Sequence, residues 1–155
     1  MPSLTITTIQ DETDLKSAKE FMLAQKQFYP NHREWVDGKC SERIESGLYK
    51  SIIGISEGKV VGIAVYRCLP NNHSEIKNFR IDNEFKNRDL GHFLLTQAEV
   101  ESKARKVTLD TTVDNFPAVQ FFIRNGFNIT GKENLYVPDQ DEYLMTKQII
   151  PRNFN

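Results

Sequence analysis

The chain has 155 residues, 39% of them hydrophobic and 26% charged, which suits one packed domain over 1–155 and leaves no room for two cores. Its 20 Lys and Arg nearly balance 21 Asp and Glu, for a net charge of -1, so the basic excess of a general nucleic-acid binder is missing and no nucleic-acid partner is expected. No apolar run reaches the roughly 18 residues that would span a membrane.

The first ten residues lack the basic-then-apolar order of a signal peptide. Cys40 and Cys68 have no metal-ligand spacing, and His32, His73 and His92 form no zinc signature. We therefore expect a reduced, cytoplasmic protein with two free thiols and no metal.

In chain order, residues 3–9 (SLTITTI) read as a strand. Asp11 can cap a helix that puts Leu15, Ala18, Phe21 and Met22 on one face. After Tyr29-Pro30 comes a second helical stretch with the stripe Val36, Cys40, Ile44, Leu48, which Gly38 should distort or split. Residues 49–57 and 59–69 predict a hairpin closing at Glu57-Gly58. Pro70-Asn71-Asn72 is a turn, and 74–81 (SEIKNFRI) a further strand. Residues 88–104 predict a helix with Leu90, Phe93, Leu94 and Ala98 toward the core, followed by a strand at 106–112. Pro117 at a helix start and Gly126 past its end define a compact helix. Residues 127–130 and 143–149 read as closing strands, with an acidic connection (Glu133, Asp139, Asp141, Glu142) between them. The strand-helix-strand-helix unit over 74–126 requires a parallel pair inside an otherwise antiparallel, mixed sheet, so the fold class is α/β with helices on both faces.

Two central segments carry chemistry. In 75–95 a strand runs through a short basic loop into a helix. Unpaired N–H groups at the helix start, together with Lys86 and Arg88, make an anion site, and Gly91 permits close backbone approach. The same residues also read as solvated loop charges with Asp89 as a helix cap. In 110–127, Asn115 stands at the C-terminal end of a central strand, where open α/β sheets place ligands. Ala118, Phe121 and Phe127 read as core.

Both segments resemble the GNAT superfamily, the GCN5-related N-acetyltransferases. Asn115, Ala118, Phe122, Gly126 and Phe127 match the family pattern Asn-x-x-Ala-x-x-x-Tyr-x-x-x-Gly-Phe except at Phe122. Lys86-Asn-Arg-Asp89-Leu-Gly91 is a degraded copy of Gln/Arg-x-x-Gly-x-Gly/Ala. The element order agrees over essentially the whole chain.

The resemblance implies a splayed central parallel strand pair and acetyl-CoA as co-substrate. Its pantetheine arm would pair with the backbone of Phe79, Arg80 and Ile81. Its diphosphate would meet Lys86, Asn87, Arg88, Asp89, Leu90, Gly91 and His92, while Asn115 would hold the arm from the other strand. A primary amine would attack the thioester directly. The implied partners are acetyl-CoA and an amine acceptor (a small metabolite, a peptide amino terminus, a lysine or an aminoacyl group), with a homodimer open to members of the family and no membrane.

Glu75 stands six residues before Ile81, where the histone-acetylating branch has its catalytic glutamate, and is the candidate base. His73 competes for that role, and an exposed strand-end charge is the plain reading of Glu75. Phe122 replaces the tyrosine that would protonate the departing thiolate, which leaves Cys68 or Tyr136 as substitute acids. Asp89 replaces a phosphate-loop glycine and puts a carboxylate where phosphate is expected. These two departures motivate the alternative of a degenerate GNAT domain that binds acyl-CoA or a protein partner without turnover. The acidic connection before the last strand would favour a cationic acceptor if it borders the cleft.

Overall fold

A computed structural model describes residues 3–86 and 89–150. Asn87 and Arg88, both expected in the phosphate loop, lie outside the described residues.

The chain runs β1 (Leu4–Thr8), α1 (Glu12–Ala24), α2 (His32–Trp35), a π-helical turn (Val36–Cys40), α3 (Ser41–Glu45), β2 (Lys50–Ser56), β3 (Lys59–Leu69), β4 (His73–Ile81), a 3-10 turn (Asn83–Phe85), α4 (Leu90–Ser102), β5 (Lys106–Thr112), α5 (Phe116–Arg124), β6 (Asn128–Val137) and β7 (Gln140–Gln148). Asp11 caps α1 by accepting from the Asp14 amide at 2.8 Å. Gly38 falls inside the π-helical turn that separates α2 from α3, the distortion its low helix propensity predicts. The β2–β3 turn places Glu57 at φ 52° and Gly58 at φ 76°, the left-handed pair that a two-residue hairpin requires.

The seven strands form one sheet in the order β1-β2-β3-β4-β5-β7-β6. Every neighbouring pair is antiparallel except β4–β5, which is parallel with α4 in the connection. Side chains alternate between two faces. On one face, Ile53, Ile63 and Val65 pack against Ala18, Met22, Val36 and Cys40. On the other, Ile52, Ala64 and Tyr66 meet Leu90, Leu94 and Ala98 of α4, and Val107, Leu109 and Met145 meet Val119 and Phe122 of α5. The expected α/β class, with helices on both faces of a mixed, largely antiparallel sheet, is the observed one.

Residues 131–142 differ from expectation. They form most of a long β6–β7 hairpin instead of an acidic connection. Most β6 side chains are exposed, so the strand lacks the apolar alternation that would mark it. Glu142, expected in a solvated loop, is a β7 residue with no exposed surface.

Candidate active site

β4 and β5 pair only at His73–Lys106, Ser74–Val107 and Glu75–Thr108. β4 continues to Ile81 and β5 to Thr112, so the parallel pair forks after Glu75. The β4 edge facing β5 is therefore left without a ladder partner beyond that point. On its other edge, the register with β3 jumps from Val65–Asn78 to Tyr66–Ile76, a bulge at Lys77. A cavity of about 500 Å³ occupies the fork, walled by β4, β5, the start of α5, the α1–α2 loop and the end of β6.

Five of the expected site residues stand in this wall or beside it. Phe79, Arg80, Asn115 and Phe122 line the cavity. Phe79 stacks on Phe121 with ring centres 5.4 Å apart and meets Phe122 edge-on at 5.6 Å. Arg80 points to the opposite face, where Nη1 donates to the Lys26 carbonyl at 3.2 Å. Burial lowers its pKa. Ile81 lies between the α4 start and β3, its side chain close to Gly62 and Gly91. Asn115 is the N-cap of α5, accepting from the Ala118 amide at 3.4 Å. Phe122 sits among Phe79, Phe121 and Phe127 with no polar neighbour among these rings.

At the start of α4, the first helical bond runs from the Phe93 amide to the Asp89 carbonyl at 3.0 Å. The amides of Leu90, Gly91 and His92 precede it and have no intrahelical acceptor. Lys86 is exposed next to this turn, and His92 Nδ1 stands 2.9 Å from Asn125 Oδ1. Leu90 is itself core, with no exposed surface.

One expectation here is corrected. Asp89 stands at the N-cap position of α4, but it adopts a left-handed backbone (φ 59°, ψ 9°) and its exposed side chain makes no cap hydrogen bond. The conformation is the one a glycine would take at this position. At Gly91 the packing of α5 also calls for a small residue, since a Cβ there would stand 2.9 Å from Phe121 Cε2.

Glu75 lies at the closed apex of the fork, opposite Thr108, and outside the cavity wall. Its Oε1 takes Arg67 Nε at 2.8 Å and Lys77 Nζ at 3.3 Å. His73 sits at the same end, with Nε2 2.6 Å from Thr108 Oγ1. Burial, then the neighbouring Lys106, lowers its pKa. Cys68 is exposed and away from the wall, whereas Tyr136 lines it.

Sequence reasoning missed the other side of the cavity. Asp110, Asn78, Tyr29, His32 and Trp35 all line it. Tyr136 donates its hydroxyl to Asp110, and burial raises the Asp110 pKa against that bond and the attraction of Lys77. Tyr29 donates to Glu142 Oε1 behind the wall. Burial raises the Glu142 pKa, and the carboxylates of Asp110 and Asp114 add to the rise. The alternation of KVTLDTT already turned Asp110 away from Val107 and Leu109, so its face was readable. Nothing in the sequence joins Tyr29 to Glu142.

The profile of the Acetyltransferase (GNAT) family matches residues 13–127. Solved structures of similar shape include the ribosomal-protein-S18-alanine N-acetyltransferase of Escherichia coli (19% identity, TM-score 0.73, covering 99% of this chain and 98% of that one). An acetyltransferase of the GNAT family from Staphylococcus aureus Mu50 superposes over 96% of this chain and 100% of its own, at 17% identity and TM-score 0.75. PaiA N-acetyltransferase from Thermoplasma acidophilum, solved in complex with coenzyme A, covers 94% and 99% at 18% identity and TM-score 0.70. A comparison with curated proteins gives no match.

Proposed function

The chain belongs to the GNAT acetyltransferase family, and from that premise we propose that it transfers the acetyl group of acetyl-CoA to a primary amine. The observation that carries this reading is the fork: β4 and β5 separate after three residue pairs and leave a cavity of about 500 Å³ between them.

Acetyl-CoA supplies an acetyl group activated as a thioester. The residues in the fork suit such a substrate. The unpaired β4 edge at Phe79, Arg80 and Ile81 offers backbone groups to an amide-bearing arm, as an added strand would use them. Asn115 borders the same space from β5, and the orphan amides of Leu90, Gly91 and His92, with Lys86, suit a diphosphate. β4 amides are also the donors available to stabilise negative charge developing on the acetyl oxygen. Phe122 supplies no proton to the departing sulfur, but a thiol ionises near pH 8.5, so a thiolate can leave without one. The proton-accepting role expected of Glu75 has less support, because two cations already occupy Oε1 and the side chain is outside the wall.

The exposed Asp89 carboxylate at the α4 start and the packed Phe122 favour a second reading, acyl-CoA binding without turnover. One experiment separates the two. With acetyl-CoA at about 100 times Kd the folded state should gain about 2.7 kcal/mol, read as a raised Tm. A thiol-release assay with primary amines should then show turnover. A raised Tm without release across the panel favours the binding module, and an unchanged Tm contradicts both readings.

A further inference from the structure

Resting on the transferase reading, we propose that Asp110, Asn78 and the ring pair Tyr29–Tyr136 form the acceptor subsite, built for the ammonium of a primary amine whose chain carries no carboxylate.

Two buried polar atoms in the cavity wall away from α5 lack hydrogen-bond partners, and a carboxylate stands beside them. Asn78 is 8% exposed and its Oδ1 has no partner, although the residue lines the cavity. His32 is 7% exposed and its Nε2 is likewise unpartnered. The other ring nitrogen faces the Met22 backbone, and burial with the nearby Arg80 lowers the ring's pKa, which favours the neutral form whose Nε2 presents a lone pair. Asp110 takes part in no ion pair among the described residues. Tyr136 satisfies only part of its accepting capacity. A buried acceptor without a donor is costly. A guest that brings donors relieves several at once, and an ammonium brings three.

The rings fit the same guest. Tyr29 and Tyr136 meet edge to face with centres 5.6 Å apart, and Trp35 completes the wall. Aromatic faces attract cations. The cations already present are engaged: Lys77 stands 3.3 Å from Glu75 and Arg80 donates to the Lys26 carbonyl at 3.2 Å. Glu142, held by Tyr29 behind the wall, and the exposed Asp114 add negative potential from β7 and the β5–α5 turn.

In the reaction, the ammonium passes one proton to the Asp110 carboxylate. The nitrogen lone pair then forms the C–N bond to the acetyl carbon as the C–S bond breaks. The sulfur leaves as thiolate and takes the nitrogen's second surplus proton, and Asp110 returns its proton to water.

Trp35 is the only tryptophan in the chain, so its fluorescence reports on this wall. The experiment titrates the protein, with and without CoA, with n-butylamine and 1,4-diaminobutane, and with γ-aminobutyrate as the carboxylate-bearing probe. KM values for the same amines are measured with acetyl-CoA. Saturable quenching by the two amines, stronger than by γ-aminobutyrate, is expected. Asp110→Asn should raise amine Kd and KM by about tenfold or more, the loss of a charge-assisted contact, while acetyl-CoA affinity stays within about twofold. Retained acetyl-CoA binding also certifies that the variant folds. Unchanged amine Kd and KM in Asp110→Asn, or a preference for γ-aminobutyrate, overturns the subsite. Amine binding without any acetyl-CoA binding supports the amine site and sinks the transferase reading beneath it, so the two failures are told apart.

Discussion

Glu142 is the residue whose environment most contradicts its chemistry. It is a carboxylate with no exposed surface, one oxygen bonded to Tyr29 and the other, Oε2, without an aligned partner. Burial raises its pKa, so the folded chain holds a proton over a pH range in which the unfolded chain has released it. The folded state then binds more protons than the unfolded one, and stability falls as pH rises from the ordinary carboxylate range through the raised value. Glu142→Gln keeps the size and an acceptor for Tyr29 but removes the charge. Urea unfolding should find this variant more stable by about 1 kcal/mol at pH 8, with the advantage vanishing near pH 4. A variant less stable than the parent at pH 8 would contradict this account. The sequence placed Glu142 in a solvated connection because a glutamate that follows an aspartate-rich turn, here Asp139 and Asp141, ordinarily is solvated. Its burial depends on Tyr29, which arrives from the far end of the chain. Asp89 shows the opposite case: its replacement of a glycine was visible in the sequence, and the left-handed backbone is the physical content of that substitution.

At the scale of elements, the contact between α4 and α5 sets the shape of the fork. Gly91 lets the first turn of α4 rest on Phe121, and Phe121 in turn stacks on Phe79 of β4. Gly91→Ala would put a methyl 2.9 Å from the Phe121 ring, within a helix that alanine otherwise favours. The clash should outweigh the propensity gain and destabilise by about 1–2 kcal/mol in denaturant unfolding. Gly38→Ala, which meets nothing within 4 Å, should be neutral or stabilising. Equal effects at the two sites would refute the packing role. Most elements were readable locally, because their signals are local: Asp11 as a cap, Glu57-Gly58 as a turn, Gly38 as a defect, Asn115-Phe-Pro as a helix start. β6 was not. Its exposed residues Lys132 to Tyr136 carry no periodic pattern, and it is a strand because β7 pairs with it, with irregular register at Ile129–Gly131 and Glu133–Val137.

For the whole molecule, the sequence order required one parallel pair, and the family resemblance implied that it splays. The folded chain adds where the fork begins, at Glu75–Thr108, and what surrounds it. The side facing α5 was legible because Asn115, Phe122 and Gly126 form a spaced motif. The side bearing Asn78, Asp110, Tyr29 and Tyr136 draws on residues from four separate segments that meet only in the folded chain. No helix among the described residues is long and apolar enough to cross a membrane.

The central claim is that the unpaired edge of β4 receives the acyl-CoA arm, and amide hydrogen exchange with and without saturating acetyl-CoA tests it most directly. The account predicts slowed exchange at residues 76–81 and 89–92, with β1 and β2 unchanged. Binding that protects other segments while leaving the β4 edge as fast as before would contradict it.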